Sequence, residues 1–190
     1  MHRIITGLIL LLLMSNLDNA QAQLKDKDSI LYRPIGKFHT SFNTGTGAPR
    51  QGILMPQTEG SIEIFPDYHD ALKDLNLFEY IIVLYHFSEV ETWEPTVNPP
   101  ASAEEHDFGL FATRSPKRPN PIGFSIVKLK GIVDGKLLVS GVDAFDGTPV
   151  LDIKPYLPSI DCIRSTQNEM VEKELGHHDE DFISDPTFFK

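Results

Sequence analysis

Two strand-like segments joined by a tight turn are the feature that most restricts how this chain can fold. Residues 124–132 and 136–142 are rich in Val, Leu and Ile, and the dipeptide Asp134-Gly135 lies between them. Asp-Gly readily adopts the positive φ angles of the turns that connect adjacent antiparallel strands. The pattern therefore predicts a β-hairpin, and it favours a fold built from β-strands.

Further segments with strand character lie on both sides of this hairpin. Residues 61–65 alternate apolar and polar side chains, which is typical of a half-buried strand. Residues 80–85 form an unbroken β-branched and aromatic run, which predicts a central buried strand. Shorter strands are predicted over residues 32–38, 108–112 and 150–153.

Helical signals are few. Residues 67–77 place apolar side chains at helical spacing behind Asp67, which predicts a short helix with an aspartate cap. Thr166, Glu169 and Gly176 have the spacing of a capping box and a C-cap glycine, which predicts a second helix. The sum is an all-β fold, a small closed or nearly closed β-barrel of six or seven strands with one or two short helices.

The ends of the chain are expected to lie outside this barrel, which we assign to residues 32–163. Residues 1–22 have the layout of a secretory signal peptide, with a basic start, an apolar run over residues 4–14 and a small-residue cleavage pattern before Gln23. That run is shorter than the roughly 20 residues that span a membrane. We expect a flexible lead over residues 23–31, and a C-terminal helix and acidic tail over residues 164–190.

The signal peptide predicts a periplasmic or secreted protein with no stable membrane span after cleavage. Two alternatives are an uncleaved N-terminal anchor and a misplaced start codon. The second alternative would leave the protein in the cytoplasm.

Charge and cysteine content exclude several classes of function. The chain has 17 basic and 27 acidic residues, a formal net charge of −10, so it lacks the positive excess that drives nonspecific nucleic-acid binding. Its single cysteine, Cys162, excludes an intramolecular disulfide and a multi-cysteine zinc site. We predict no metal site, because the adjacent His177 and His178 lie in a tail without preorganisation.

The densest chemical signal is the segment of residues 111–123, with the sequence FATRSPKRPNPIG. Its three prolines fix φ and restrict the loop, and Arg114, Lys117 and Arg118 add three positive charges to an acidic chain. An arginine can bind a carboxylate or phosphate through two hydrogen bonds. The segment is either a ligand-binding loop or a rigid surface turn whose arginines pair with nearby acids.

Two other polar clusters lie where strands are predicted to begin or end. Asp143, Asp146 and Asp152 have the placement of ligand-binding carboxylates or of turn caps, and turn caps are the commoner use. The loop of residues 48–52 offers amide and backbone contacts to a base. His86 directly follows the predicted central strand, where a lone histidine is more often structural than catalytic.

Together these clusters resemble the TsaA-like family, called TrmO or YaeB in bacteria, of S-adenosylmethionine-dependent tRNA methyltransferases. The matching segments cover about residues 32–163 and are residues 32–36, Pro49-Arg50-Gln51, Trp93-x-Pro95-x-Val97-x-Pro99-Pro100, residues 111–123, and residues 146–156 with the sequence DGTPVLDIKPY. The resemblance implies a small β-barrel that forms a homodimer and binds S-adenosyl-L-methionine without a Rossmann fold. It also implies methylation of the exocyclic N6 of threonylcarbamoyladenosine beside the anticodon of tRNA.

The resemblance assigns site residues motif by motif. The implied cofactor-binding residues are Arg50, Gln51, Gly52, His86, Arg114, Phe124, Ser140, Gly141, Val142 and Asp143. The candidate substrate-binding residues are Lys117, Arg118, Asn120, Asp146, Lys154 and Tyr156. Residue chemistry agrees at three positions: Arg114 suits a methionine carboxylate, the Arg50-Gln51 loop suits adenine or ribose, and Asp143 suits a ribose or an ammonium group. No residue is assigned as catalytic.

One departure from the family pattern keeps a second reading open. Family members usually follow the Pro-Pro pair with an arginine and a glycine-rich stretch, but this chain has acidic Glu104 and Glu105 there. The alternative is an exported barrel that binds an S-adenosylmethionine-like ligand, or a small-molecule methyltransferase without tRNA activity.

Overall fold

The structure is a computed structural model that describes residues 29–98 and 107–163. Its strands are β1 (Gly36–His39), β2 (Glu59–Ile64), β3 (Tyr80–His86), β4 (Thr96–Val97), β5 (Phe108–Gly109), β6 (Ile122–Val133), β7 (Lys136–Ser140) and β8 (Pro149–Pro155). One α-helix, α1 (Pro158–Asp161), follows β8, and short 3-10 helices span Gly52–Leu54, Pro66–Leu72, Leu75–Leu77 and Leu110–Ala112.

The chain divides into two compact units, Met1–Arg33 and Pro34–Lys190. In the first unit, residues 29–33 are exposed and have no regular secondary structure. The predicted signal peptide, the C-terminal helix over residues 166–176 and the acidic tail lie outside the described residues. Within the described part of the chain, no helix has the length and apolar character needed to cross a membrane.

Six of the strands close into an antiparallel barrel in the order β1-β2-β7-β6-β3-β8. Closure occurs at β1, where Gly36 pairs with Ile64 of β2 on one side and with Val150 of β8 on the other. β4 and β5 form a separate two-stranded sheet. The prediction of a small closed β-barrel of six or seven strands is confirmed.

The predicted hairpin joins β6 to β7. Asp134 and Gly135 have φ angles of 49° and 75°, so both occupy the positive-φ region that this turn requires. Val133 pairs with Lys136 directly across the turn. The hairpin contributes two adjacent walls of the barrel, and β6, which spans 12 residues, carries part of the site described below.

The barrel interior is filled by alternate side chains of each strand. In β3, Ile81, Val83 and Tyr85 point into the core, whereas the side chains between them are partly exposed. The prediction of a central strand at residues 80–85 is correct in pairing, since β3 lies between β6 and β8. The prediction that this strand is buried throughout is wrong, because a barrel wall has one inner and one outer face.

The predicted helix over residues 67–77 is not α-helical. The segment forms two 3-10 helices, and Phe65, not Asp67, occupies the N-cap, with no side-chain capping bond. Pro66 starts the first of them, and Asp74 separates them with a left-handed φ of 65°. This left-handed residue breaks the helical register that the apolar spacing suggested.

Two predicted strands are shorter than expected at one end. The first begins only at Gly36, not at residue 32. The segment of residues 108–112 leaves the strand after Gly109 and turns as the 3-10 helix Leu110–Ala112. In that helix Leu110 is buried and Phe111 is 80% exposed, so the turn anchors the start of the arginine-proline loop.

Candidate functional site

A cleft of about 380 Å³ opens beside β6, where two loops approach the barrel wall. Its lining residues are Gln51, Gly52, Ile53, Tyr80, Arg114, Phe124, Ser125, Ile126, Asp143 and Tyr156. The cleft lies within the range of volumes, about 300–1,000 Å³, that small-molecule sites occupy. It combines aromatic and aliphatic walls with one guanidinium and one carboxylate, which is the composition expected of a binding site.

The carboxylate at the base of the cleft is held on both oxygens. Asp143 Oδ2 accepts a hydrogen bond from the backbone N–H of Gly52 at 2.8 Å. Asp143 Oδ1 accepts one from the Ser125 hydroxyl at 2.5 Å. Three separate parts of the chain therefore meet at this carboxylate: the loop of residues 48–52, strand β6 and the connection after β7.

Close contact between two glycines brings these parts together. A Cβ atom added to Gly52 would lie 1.8 Å from the carbonyl oxygen of Gly141, so only glycine fits there. Gly141 has a φ of 73°, in the left-handed region that glycine adopts without strain. Thr58 spans the same junction, because its hydroxyl donates to the carbonyl of Val142 at 2.9 Å. The junction fixes the loop that carries Gly52 against the carboxylate of Asp143.

A hydroxyl pair connects the cleft to the barrel core. The Ser125 oxygen lies 3.0 Å from the phenol oxygen of Tyr85, and both residues are buried. Ser125 and Thr148 are the buried polar or charged residues among those the structure describes. The buried polar chain of Tyr85, Ser125 and Asp143 thus ends at the cleft.

The pKa values of the two titratable members of this chain move for identifiable reasons. Burial raises the pKa of Asp143, and the hydrogen bonds from Ser125 and from the Gly52 amide oppose that rise. Burial also raises the pKa of Tyr85 far above its usual range, and the nearby carboxylate of Asp143 adds to this effect. The phenol is therefore neutral, whereas donors surround the carboxylate and favour its charged form.

Arg114 supplies the positive charge of the cleft. Its Nη1 donates a hydrogen bond to the side-chain oxygen of Gln51, and the Gln51 amide in turn donates to the carbonyl of Arg50 at 2.6 Å. The guanidinium is exposed at the mouth of the cleft. It can therefore bind an anionic group of a ligand, with Gln51 setting its orientation.

The other two cations of the arginine-proline loop have structural partners. Arg118 donates to the carbonyls of Thr113 and Ser115 at 3.0 and 3.3 Å, and its guanidinium carbon lies 5.5 Å from the ring centroid of Phe111. Lys117 forms a 2.8 Å ion pair with Glu94. Both earlier interpretations of this loop therefore apply: Arg114 faces the cleft, while Lys117 and Arg118 hold the loop in shape.

The structure brings together half of the predicted cofactor-binding residues. Gln51, Gly52, Arg114, Phe124 and Asp143 line the cleft. The other five do not line it and are Arg50, His86, Ser140, Gly141 and Val142.

The five residues outside the lining have other positions. Arg50 precedes the Gln51 amide that binds its carbonyl, and His86 is exposed at the end of β3, opposite Ile122. Gly141 and Val142 support the cleft through the glycine contact and the Thr58 bond described above.

Of the candidate substrate-binding residues, Tyr156 alone lines the cleft. Asp146 accepts a hydrogen bond from the Thr40 amide at 3.2 Å, which is the turn-capping use of an aspartate. Lys154 forms a 2.5 Å ion pair with Asp152 on the outer surface of β8. Lys117, Arg118 and Asn120 lie in the loop that carries Arg114.

Sequence reasoning missed several lining residues, namely Ile53, Tyr80, Ser125 and Ile126, and it also missed the supporting phenol of Tyr85. The signal for Ser125 was present in the strand pattern. Side chains of β6 alternate between outside and inside, and Ser125 occupies an inward position that the neighbouring Val127 and Leu129 fill with apolar groups. A polar residue in an inward register needs a partner, and that requirement points to a buried polar site.

Comparison with known proteins finds a family model and curated relatives that cover this site. The family described as tRNA-methyltransferase O N-terminal domain matches residues 37–162. A protein of Pyrococcus abyssi, named as a probable S-adenosyl-L-methionine-binding protein, is 41% identical over 160 residues, which cover 84% of this chain and 85% of that protein. An Escherichia coli protein named tRNA (adenine(37)-N6)-methyltransferase is 38% identical over 138 residues, which cover 68% of this chain but 59% of that enzyme.

Solved structures show the same architecture. A crystal structure of TrmO from Pseudomonas aeruginosa matches with a TM-score of 0.60 and 36% identity, over 75% of this chain and 62% of that one. A further TrmO crystal structure gives a TM-score of 0.62 at the same identity, over 75% of this chain and 64% of that one. The chain thus spans less than two thirds of these structures and of the Escherichia coli enzyme.

Proposed function

Because this chain belongs to the family of the tRNA-methyltransferase O N-terminal domain, we propose that it is an S-adenosyl-L-methionine-dependent methyltransferase whose cofactor occupies the cleft beside β6. The observation that carries the proposal is the pairing of Arg114 and Asp143 in one cleft of about 380 Å³. The cofactor has an anionic carboxylate as well as cationic ammonium and sulfonium groups, so a site for it needs both charges.

The residues of the cleft fit this cofactor. The exposed guanidinium of Arg114 can pair with a carboxylate through two hydrogen bonds. The Asp143 carboxylate can accept hydrogen bonds from an ammonium group or from ribose hydroxyls, and the ring of Phe124 offers an apolar face to a base. The match to predicted residues Gln51 and Gly52 adds amide groups from the neighbouring loop.

When bound, S-adenosyl-L-methionine supplies a methyl group that is electrophilic because it is attached to a sulfonium. The protein's part is then mainly to bind and orient. Holding two reacting groups in line replaces a bimolecular encounter and contributes several kcal/mol, about 7–11 in well-oriented intramolecular reactions. The rigid fixings around the cleft, the glycine contact at Gly52 and the proline-restricted loop that carries Arg114, suit that task.

For the methyl acceptor we propose the exocyclic N6 of threonylcarbamoyladenosine beside the anticodon of tRNA. The relatives named as methyltransferases of tRNA adenine 37 support a tRNA acceptor. Bases in the single-stranded loops of RNA can be turned outward and bound individually, which suits a small cleft. A tRNA acceptor requires the cytoplasmic location that follows from a misplaced start codon.

We also propose that the protein acts as a homodimer. Several large apolar side chains are exposed around the cleft, including Ile53 at 65%, Phe111 at 80% and Phe124 at 43%. Exposed apolar patches frequently mark association surfaces. Light scattering at micromolar concentration tests this proposal, and a monomeric mass with full cofactor affinity would contradict it.

The test of the proposed function is methyl transfer from radiolabelled S-adenosyl-L-methionine to tRNA, followed by nucleoside analysis. We expect label in N6-methylated threonylcarbamoyladenosine, and none with tRNA that lacks the threonylcarbamoyl group. Asp143→Asn should abolish most of the transfer, whereas Lys130→Ala, on the outer wall of β6 in an ion pair with Glu59, should not change it. Cofactor binding without transfer to any tRNA would instead support the exported ligand-binding barrel.

A further inference from the structure

The buried hydroxyl pair beneath the cleft has no part in the proposed function as stated so far. Tyr85 and Ser125 retain 3% and 5% of their exposure, yet each carries a polar group into an otherwise apolar barrel. Burying such groups costs free energy unless their hydrogen bonds are made. A barrel of this kind is commonly filled by apolar side chains alone, so the pair calls for an explanation.

Counting protons fixes the direction of this hydrogen-bond chain. The Ser125 hydroxyl has one proton, and it is donated to the Asp143 carboxylate at 2.5 Å. Ser125 must therefore act as acceptor in the 3.0 Å contact with Tyr85, and the phenol must be the donor. Both donors point toward the cleft, and such chains polarise each bond and strengthen it.

The barrel also restrains the phenol that begins the chain. A Cβ on Gly123 would lie 2.2 Å from the Tyr85 ring, so the residue opposite Tyr85 in β6 leaves room for that ring. Phe38 and Phe87 contact the ring edge-to-face, with centroids at 5.5 and 5.2 Å. The ring therefore has one position, and its hydroxyl is aimed at Ser125.

We propose that Ser125 and Tyr85 are positioning residues, which hold the Asp143 carboxylate in its ionised form and in a fixed orientation toward the cofactor. The proposal rests on the proposed function, since it assigns a purpose to the carboxylate of that same cleft. The backbone N–H of Gly52 fixes the second oxygen of the carboxylate at 2.8 Å, so rotation of the group is prevented from both sides. The hydroxyl chain matters because burial alone raises the pKa of Asp143.

The groups that face Asp143 make its titration identifiable. Tyr85 reaches it from β3 through Ser125 of β6, and Gly52 reaches it from the neighbouring loop. The remaining titratable lining residues are Arg114, Tyr80 and Tyr156. None of these carries a carboxyl or imidazole group, so Asp143 is the lining residue with a carboxyl to protonate under acid conditions.

The test is calorimetric titration of the full chain with S-adenosyl-L-methionine between about pH 5 and 7.5, the range in which a carboxyl with a raised pKa changes charge. Removing a donor to the ionised form raises the pKa of the carboxyl. Ser125→Ala should therefore weaken binding about tenfold, the lower end for a hydrogen bond to a charged group, and should move the acid loss of affinity to higher pH. Ser125→Thr, which keeps the hydroxyl, should restore the wild-type profile.

Two further variants separate positioning from folding. Ser125→Ala alone leaves a buried phenol without its acceptor, so the protein could be destabilised; the double variant Ser125→Ala/Tyr85→Phe removes both polar partners and should keep the melting temperature near wild type. The double variant should still show the displaced pH profile. Thr148→Val, which removes a buried hydroxyl that does not line the cleft, should leave the profile unchanged.

The outcomes are distinct. Wild-type binding with an unchanged pH profile in the folded double variant overturns the positioning role and leaves the proposed function intact. Absence of binding by the wild-type protein overturns both. A displaced profile in Thr148→Val as well would show that any loss of a core hydroxyl has this effect, and it would also overturn the proposal.

Discussion

Arg114→Ala is the substitution whose effect on cofactor binding is set most directly by the structure. The guanidinium lines the cleft and donates one hydrogen bond to Gln51, which leaves its other N–H groups for a ligand carboxylate. A hydrogen bond to a charged group contributes about 1.5–3 kcal/mol. Because Arg114 is exposed to solvent, we expect the lower end of this range, and hence about tenfold weaker binding.

Calorimetric titration with S-adenosyl-L-methionine measures this difference, and two variants control for it. Arg114→Lys keeps the charge but loses the forked geometry, so it should fall between the wild type and Arg114→Ala. Lys130→Ala removes an exposed cation that pairs with Glu59 away from the cleft, and it should bind as the wild type does. An affinity unchanged in Arg114→Ala would remove this residue from the site and with it the charge argument for the cofactor.

Three other expectations can be tested independently. Gly52→Ala places a methyl group 1.8 Å from a facing backbone carbonyl and should cost about 1–3 kcal/mol of stability, whereas Gly131→Ala, with no atom within 4 Å, should leave the melting temperature nearly unchanged. Burial raises the pKa of Tyr85, so the free energy of unfolding should fall as pH rises above about 10, the pKa of an unfolded tyrosine; alkaline denaturation of Tyr85→Phe should lack this loss. With a net charge of −10, the protein should bind tRNA weakly with a shallow salt dependence, and Glu104→Arg/Glu105→Gly should strengthen binding in a filter assay; tight and steeply salt-dependent binding by the wild type would contradict this.

Local patterns were sufficient to predict the strands and the closing hairpin, because these depend on neighbouring residues. The Asp134-Gly135 turn and the alternation at residues 61–65 identify strands without reference to the rest of the chain. The helix predicted over residues 67–77 failed because the left-handed Asp74 interrupts it, and apolar spacing carries no information about such a residue.

The candidate site was predictable only in its exposed charges. Arg114 and Asp143 stand out by composition and by resemblance to a known family, and both line the cleft. Ser125 and Tyr85 did not stand out, since each lies in a strand where its neighbours suggest packing. Their role depends on the register between β3 and β6, which sets the two hydroxyls against each other across the barrel wall. That register is a property of the closed sheet and not of either segment.

The most direct test of the central claim is a crystal structure of the full chain grown with S-adenosyl-L-methionine. We expect electron density for the cofactor in the cleft beside β6, with its carboxylate at Arg114 and a polar contact to Asp143. Density at another surface, with the cleft free of ligand at saturating cofactor, would contradict the assignment of this cleft and the mechanism built on it.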